Sequence, residues 1–305
     1  MIDAALLPAL LSLLTVARSG SVGAAARLHH RTSSAISQQI RKLERHLDVK
    51  LLERAGRGVR LTAAGEAALP GILQLGTETE ALFAQLAELS GHPPAILRVA
   101  VSDYLGRDLL VPVLHELLEE QPRLRFEIAT THSRESVRLV GLGEVDCVVV
   151  TGQEAPRGIE AARLFDQAFV WVGPRRARRR APLAELAREP LLRLGAGSQG
   201  RRLLEDYLTR EHIQPVSTID VPSVSLLLTY VSGGLGVGLA PALALAEGGS
   251  GQRAYDWERA AVPALTVTLV HRPGFRRSTA AERFATRLAA EGRRAGARLR
   301  RMGLG

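Results

Sequence analysis

The chain has 305 residues, 46% hydrophobic and 23% charged, with a formal net charge of +9. That length holds two or three domains with cores of their own, and no apolar run reaches the roughly 18 residues that span a bilayer. The single cysteine, Cys147, excludes an intrachain disulfide and a cysteine-rich metal site, and the eight histidines fall at no metal-ligand spacing.

The charge is uneven along the chain. Residues 1–61 carry ten Lys/Arg against four Asp/Glu, and residues 272–305 carry ten against two, so the middle is acidic. A basic head on an acidic middle points to nucleic acid at the N-terminus. The arginines of the basic tail fall on a helix-like segment and read as a solvated face.

Leu6, Leu7, Leu10, Leu11, Leu13, Leu14 and Ala17 keep a helical apolar stripe that Gly20 ends. Only Asp3 precedes this run where an export signal needs basic residues, so it reads as the first helix of a cytoplasmic domain. Ser21 caps a short helix, Val22–His29, whose alanines let a neighbouring helix approach. After a turn at His30–Thr32, Ser33 and Ser34 are expected to cap a third helix running to about His46. Its inward face is Ala35, Ile36, Ile40, Leu43 and Leu47; its outward face is Ser37, Gln38, Arg41, Lys42 and Arg45. A short helix, a tight turn and a second helix with a polar, basic outer face form a helix-turn-helix, and the second helix suits the major groove. Lys50–Arg54 and Val59–Leu61 then flank a turn at Ala55–Gly58, a wing that carries Arg54 and places Arg57 at its tip for the minor groove.

The blocks Gly20-Ser21-Val22, Ala25-Ala26, Ser34 through Glu44, Leu51-Leu52-Glu53-Arg54 and Leu61-Thr62-Ala63-Ala64-Gly65 together resemble the LysR-type signature, with the spacing between blocks preserved. His29 stands where that family usually has Leu, and Ser33 or Ser34 where it has Gln or Pro. The resemblance implies that Ser33, Ser34, Ser37 and Gln38 approach bases, while Thr32, Arg41 and Lys42 meet phosphates or flanking bases. Gln38 is the best candidate for a direct base contact, because an amide pairs with adenine through two hydrogen bonds. The cations set affinity and salt dependence rather than sequence choice.

From Thr62 to about Ser90 the chain reads as one helix containing Pro70. Ile72, Leu75, Thr79, Leu82, Leu86 and Leu89 form the alternating three–four seam of a two-helix coiled coil, which would pair two DNA-reading heads. Gly91-His92-Pro93-Pro94 reads as a hinge. The resemblance implies paired linker helices and assembly as a homodimer or homotetramer.

Beyond the hinge, strands alternate with helices. Ile96–Val101, Arg125–Thr131 and Val145–Val150 read as strands, with helices at Arg107–Glu120 and Arg134–Leu142. Cys147 falls in the third strand, as a small buried thiol. A second unit has strands at Phe169–Val172, Leu191–Leu194, near Ser217–Val221 and at Gly236–Leu239, and helices at Gly200–Glu211 and Val224–Ser232. Leu265–His271 and a helix at about Ser278–Met302 complete the first unit. Two such lobes with crossovers between them resemble the periplasmic-binding-protein-like effector domain of the same family, and Val231 with Gly233 through Pro241 looks like its glycine-rich block.

Ligands of open α/β sheets bind beyond the carboxyl ends of strands. Hydroxyls stand at those ends: Ser102, Thr131, Ser133 and Thr151 in the first lobe, Ser198 with Gln199, and Ser223 in the second. Asp103 and Tyr104, read as part of the first loop, would tune the choice of ligand. Several hydroxyls converging on one cleft fit a small polar or carboxylate metabolite.

The chain therefore reads as an α+β multidomain protein. Residues 1–61 form a winged helix-turn-helix, 62–91 a linker and dimerisation helix, and 92–305 an effector-binding domain. Lobe I of that domain covers about 95–168 and 265–302, and lobe II about 169–264. The expected function is sequence-specific binding of double-stranded DNA in transcriptional regulation, tuned by an effector, with RNA polymerase as a further partner and no cofactor, metal or membrane. No strained nucleophile elbow, metal cluster or phosphate loop is present, so no enzyme is expected. The rival reading is an effector-independent, nucleoid-type DNA-binding protein.

Overall fold

The computed structural model describes residues 6–56, 58–89, 96–131, 133–156, 158–174, 189–246 and 255–304. Three helices open the chain: α1 (Leu7–Ser19), α2 (Val22–Leu28) and α3 (Ser33–Leu47). Gly20 stops α1 in the left-handed region at φ 61°, donating its N–H to Val16 O. Ser21 caps α2 by accepting from Ala24 N. The cap of α3 is Thr32, whose Oγ1 accepts from Ala35 N at 3.2 Å, and not the expected Ser33 or Ser34, which stand in the first helical turn. Thr32 wins because its extended backbone (φ −81°, ψ 152°) points the hydroxyl back at the exposed amides.

Leu13, Val16, Ala25, Ile36, Ile40 and Leu43 form the buried centre of this unit. Leu47, expected to face inward, is half exposed, because it closes the last turn beyond the reach of α1 and α2. The wing is tighter than expected. Strands β1 (Leu52–Ala55) and β2 (Gly58–Leu61) pair antiparallel with Ala55 opposite Gly58, leaving a two-residue loop that Gly56 opens at φ 56°. Arg57 lies outside the described residues.

Glu44, near the end of α3, fastens the chain entering the wing. Its buried carboxylate accepts from Leu51 N (2.9 Å), Leu52 N (3.3 Å) and Lys50 Nζ (2.9 Å). Burial alone would raise its pKa. The Lys50 ammonium and the two amides outweigh it and hold the value below the ordinary 4.5.

Helix α4 (Ala63–Leu89) carries Pro70 inside its span. The expected coiled-coil seam divides along its length. Ile72, with Leu73, is buried in its own chain's helical core, whereas Leu82 and Leu86 are exposed, as is Phe83, which the heptad reading left off. The side chain of Leu89 and the expected hinge at 91–94 lie outside the described residues.

Two five-stranded sheets follow. The first contains β3 (Ile96–Val101), β4 (Arg125–Thr130), β5 (Cys147–Thr151), β6 (Glu160–Gln167) and β12 (Leu265–His271), in the order β4-β3-β5-β12-β6. The second contains β7 (Phe169–Pro174), β8 (Leu191–Leu194), β9 (Thr218–Val221), β10 (Val237–Pro241) and β11 (Tyr255–Arg259), in the order β11-β7-β10-β8-β9. Three neighbouring strands of each pair in parallel, joined by crossover connections. One strand of each, β12 or β7, runs against the other four and pairs antiparallel on both sides, so the sheets are mixed rather than purely doubly wound. Strands β6 and β11 were not anticipated from the sequence: Glu160–Gln167 is an edge strand with a mostly polar start, and its alternation is broken.

The chain crosses between the sheets at Gln167–Phe169 and returns before β12. Covering helices are α5 (Asp103–Leu105), a π turn (Gly106–Leu110) and α6 (Val111–Glu120), then α7 (Ser133–Gly141), α8 (Gln199–Arg210), α9 (Val224–Ser232), α10 (Leu243–Ala246) and α11 (Thr279–Arg301). The arginines of α11 are largely paired. Arg287 and Arg294 reach Glu116 of α6, Arg294 and Arg298 reach Glu291, and Arg283 lies 3.7 Å from Glu120. The basic tail is thus knitted to its own lobe. No helix among the described residues is long and apolar enough to cross a membrane.

Candidate functional site

On the helical unit, α3 turns its polar side out. Ser33, Ser34, Gln38, Arg41, Lys42 and Arg45 are exposed, and Ser37 is half-buried. Thr32 and Ser34 share a hydrogen bond of 2.9 Å between hydroxyls at the start of the helix. Arg54 is exposed on the first wing strand, and Arg60 pairs with Glu53 across the hairpin. His29, in the slot where Leu was expected, does not leave a hole. Its Nε2 lies 2.8 Å from Thr15 Oγ1, so a polar link between α1 and the end of α2 replaces an apolar contact. Ser12 similarly donates to Gln39 Oε1 at 2.9 Å, fixing α3 against α1 from its buried side. A rigid helix held this way presents a reading face without having to order itself on contact.

The second site is a cleft between the two sheets. Ser102, Asp103, Tyr104 and Thr151 come from one lobe, and Ser198, Gln199 and Ser223 from the other. Seven of the nine expected effector residues therefore meet. Thr131 does not, because its hydroxyl lies 2.5 Å from Ser136 Oγ, at the start of the connection to α7. Ser133 begins α7, and its side chain lies outside the described residues. Asp103 and Tyr104 are not in a loop. They form the first turn of a helix that starts directly after Ser102, four residues earlier than the apolar stripe indicated.

The cleft also has an apolar wall that the search for hydroxyls missed: Phe169, Leu194, Pro222, Val224 and Pro241. All five stand at or just past strand ends, the positional signal that could have found them. The cavity measures about 50 Å³. One ordered water needs about 10–15 Å³ by this measure, so the space is small.

Hydrogen bonds already bridge the lobes. Gln199 Nε2 donates to Gly152 O at 2.8 Å. Asp103 Oδ2 accepts from Ser225 N at 3.0 Å, and Arg107 Nη2 donates to Ala244 O at 3.3 Å. Behind the cleft floor, Gln167 Nε2 donates to Tyr104 Oη (2.8 Å), which lies 2.7 Å from Thr151 Oγ1. Burial, partly countered by these hydrogen bonds, pushes the Tyr104 phenol up to about 12, so it stays neutral. Gln167 Oε1 is buried with no hydrogen-bond partner among the described residues. Cys147 is fully buried, and burial raises its thiol well above the ordinary range, which suits packing rather than reactivity. No cluster of candidate metal ligands occurs among the described residues.

A winged helix-turn-helix on a long helix, followed by a two-lobed α/β domain with an interlobe cleft, defines a ligand-sensing DNA-binding regulator. Comparison with known proteins narrows this class. Residues 7–66 match the family described as bacterial regulatory helix-turn-helix protein, lysR family, and residues 90–293 match the LysR substrate binding domain. The chain belongs to the LysR family of transcriptional regulators, with a helix-turn-helix DNA-binding domain and an effector-binding domain.

Among curated relatives, the HTH-type transcriptional regulator YofA of Bacillus velezensis is 29% identical over 233 residues, 75% of this chain and 78% of that protein. A putative transcriptional regulator of Pseudomonas aeruginosa is 41% identical over 118 residues, 39% of each chain. Among solved structures, ArgP from Mycobacterium tuberculosis superposes with a TM-score of 0.72 at 21% identity, covering 96% of this chain and 98% of that one. A full-length OxyR variant from Pseudomonas aeruginosa gives 0.67 at 23% identity, covering 94% of each. At these identities the solved structures establish a shared fold.

Proposed function

We propose that this regulator reads its operator with α3 and the wing, pairs through α4, and changes its grip on DNA when a small polar effector occupies the interlobe cleft. The observation that carries the reading is the convergence of Ser102, Asp103, Tyr104, Thr151, Ser198, Gln199 and Ser223 from two separate lobes on one cleft. In the working division, residues 1–61 bind DNA, 62–91 link and dimerise, and 92–305 hold the effector. Lobe I takes about 95–168 and 265–302, and lobe II about 169–264.

Ser33, Ser34, Ser37 and Gln38 approach base edges. Thr32, Arg41, Lys42 and Arg54 meet phosphates, and Arg57 enters the minor groove. Exposed Leu82, Phe83 and Leu86 on α4 support self-association, as dimer or tetramer, because apolar side chains this open gain by being covered. Occupation of the cleft changes lobe closure, hence the placement of the DNA-reading heads and their contact with RNA polymerase. The protein acts in the cytoplasm and turns over no substrate. A solved relative of the same fold, LysG from Corynebacterium glutamicum, is described with bound effector Arg, which supports an effector role for the cleft.

The test combines genome-wide mapping of DNA bound by the full-length protein with thermal shifts of that protein in a metabolite library. Discrete promoter sites and at least one stabilising metabolite that alters operator binding are expected. Uniform coverage of the genome with no stabilising compound would instead indicate a nucleoid-type protein.

A further inference from the structure

The described residues that line the cleft carry one formal charge, and it is negative. Asp103 is the only Asp or Glu among them, and none of the described lining residues is Lys, Arg or His. No ion pair among the described residues involves Asp103. Its Oδ2 accepts from Ser225 N, the second residue of α9, while Ser223 Oγ accepts from Leu226 N, the third. The amides that a ligand carboxylate would seek at this helix start are thus already taken by the chain's own acceptors. At the helix start opposite, Ser198 Oγ accepts from the third amide, Arg201 N, at 3.1 Å.

The fixed charge on Asp103 repels anions. The opposite wall, Phe169, Leu194, Pro222, Val224 and Pro241, offers a compact apolar surface.

We infer that the effector is a small amine, protonated at neutral pH, with a short apolar body and no free carboxylate, and that Asp103 selects it. The inference rests on the cleft being the effector site. The ammonium donates to the Asp103 carboxylate, and the apolar body lies on the Phe169 and Pro241 side. Asp103 acts as an internal anion, standing at the α9 start where a carboxylate ligand would otherwise bind. Desolvation inside the narrow cleft strengthens both the attraction for a cation and the repulsion of an anion.

Matched amines and carboxylates on one skeleton separate these effects: butylamine against butyrate, and benzylamine against benzoate. Each is titrated into the full-length protein and its D103N variant, with binding followed by thermal shift and calorimetry. The amide introduced by D103N keeps an acceptor for Ser225 N, and the D103S variant with circular dichroism controls for misfolding. The wild type should bind the amines at least about tenfold more tightly than the matched carboxylates. D103N should lose about tenfold or more for the amines and gain affinity for benzoate.

Equal or tighter binding of carboxylates by the wild type would overturn the inference while leaving the cleft as the effector site. So would amine binding that D103N does not weaken. Failure of every probe to bind either protein, even at millimolar concentration, would overturn the inference, while the effector reading of the cleft would stand or fall with the metabolite library.

Discussion

Gln38 stands exposed one turn into α3, with Ser37 half-buried beside it and Arg41 one turn further on. An amide that pairs with a base edge is worth about 1–3 kcal/mol of discrimination. Q38A should therefore lose roughly 10- to 100-fold in operator affinity, and much less on random DNA, as measured by band shift at fixed salt. Equal losses on both would take base reading away from this residue. Glu44 makes a different kind of prediction. Removing its carboxylate leaves the buried Leu51 amide without its acceptor, so E44A should destabilise the helical unit by about 3 kcal/mol in urea unfolding. Because its folded pKa is lowered, the charge stabilises fully above the ordinary value of 4.5 and ceases to do so as pH falls through the depressed one. The stability gap between wild type and E44Q should accordingly be constant near neutrality and shrink below about pH 4.5. The outward position of Gln38 was readable from residue type and helical position. Glu44 was visible only as part of a signature block, because its partners lie seven and eight residues away on a different element.

At the scale of elements, two close approaches set the geometry. A Cβ on Gly65, in the first turn of α4, would lie 2.3 Å from Leu51 O, so only glycine lets the long helix leave the wing at this angle. Gly236 adopts φ 149° with its missing Cβ 2.0 Å from Pro190 O, which lets β10 enter the sheet beside β8. G65A should lower the melting temperature of the helical unit and its operator affinity together, at a cost of about 1–3 kcal/mol. In α4, replacing exposed Leu82 and Phe83 by glutamate should shift the protein from dimer towards monomer in analytical ultracentrifugation and weaken operator binding, with little change in unfolding of the monomer. A variant that stayed dimeric would move the interface elsewhere. The heptad pattern suggested one continuous seam. The fold uses Ile72 and Leu73 for its own core instead, because α1 already covers that stretch.

In the whole molecule, α4 touches the effector domain of its own chain. Glu78 pairs with Arg277 at 3.0 Å, and Gly158 packs so closely on Pro70 that a Cβ there would lie 2.9 Å away. Both groups of the ion pair are partly exposed, so its contribution to stability is at most about 1 kcal/mol. It also lies on a route from lobe I to the DNA-reading head. R277E should leave folding intact while changing the effector's influence on the operator footprint, and an unchanged response would exclude this contact from the coupling. The helix-turn-helix, the linker helix and the strand–helix rhythm were legible from the sequence alone. They depend on periodicity, caps and glycine stops within a few turns of chain, which local physics writes directly into residue order. Hydroxyls at strand ends marked most of the cleft for the same reason. Only the tertiary structure decided that β6 and β11 are strands, since each is defined by its pairing at a sheet edge. It alone set the apolar wall of the cleft and capped α9 with Asp103, because those contacts join residues up to 122 positions apart whose meeting is a property of the packed lobes.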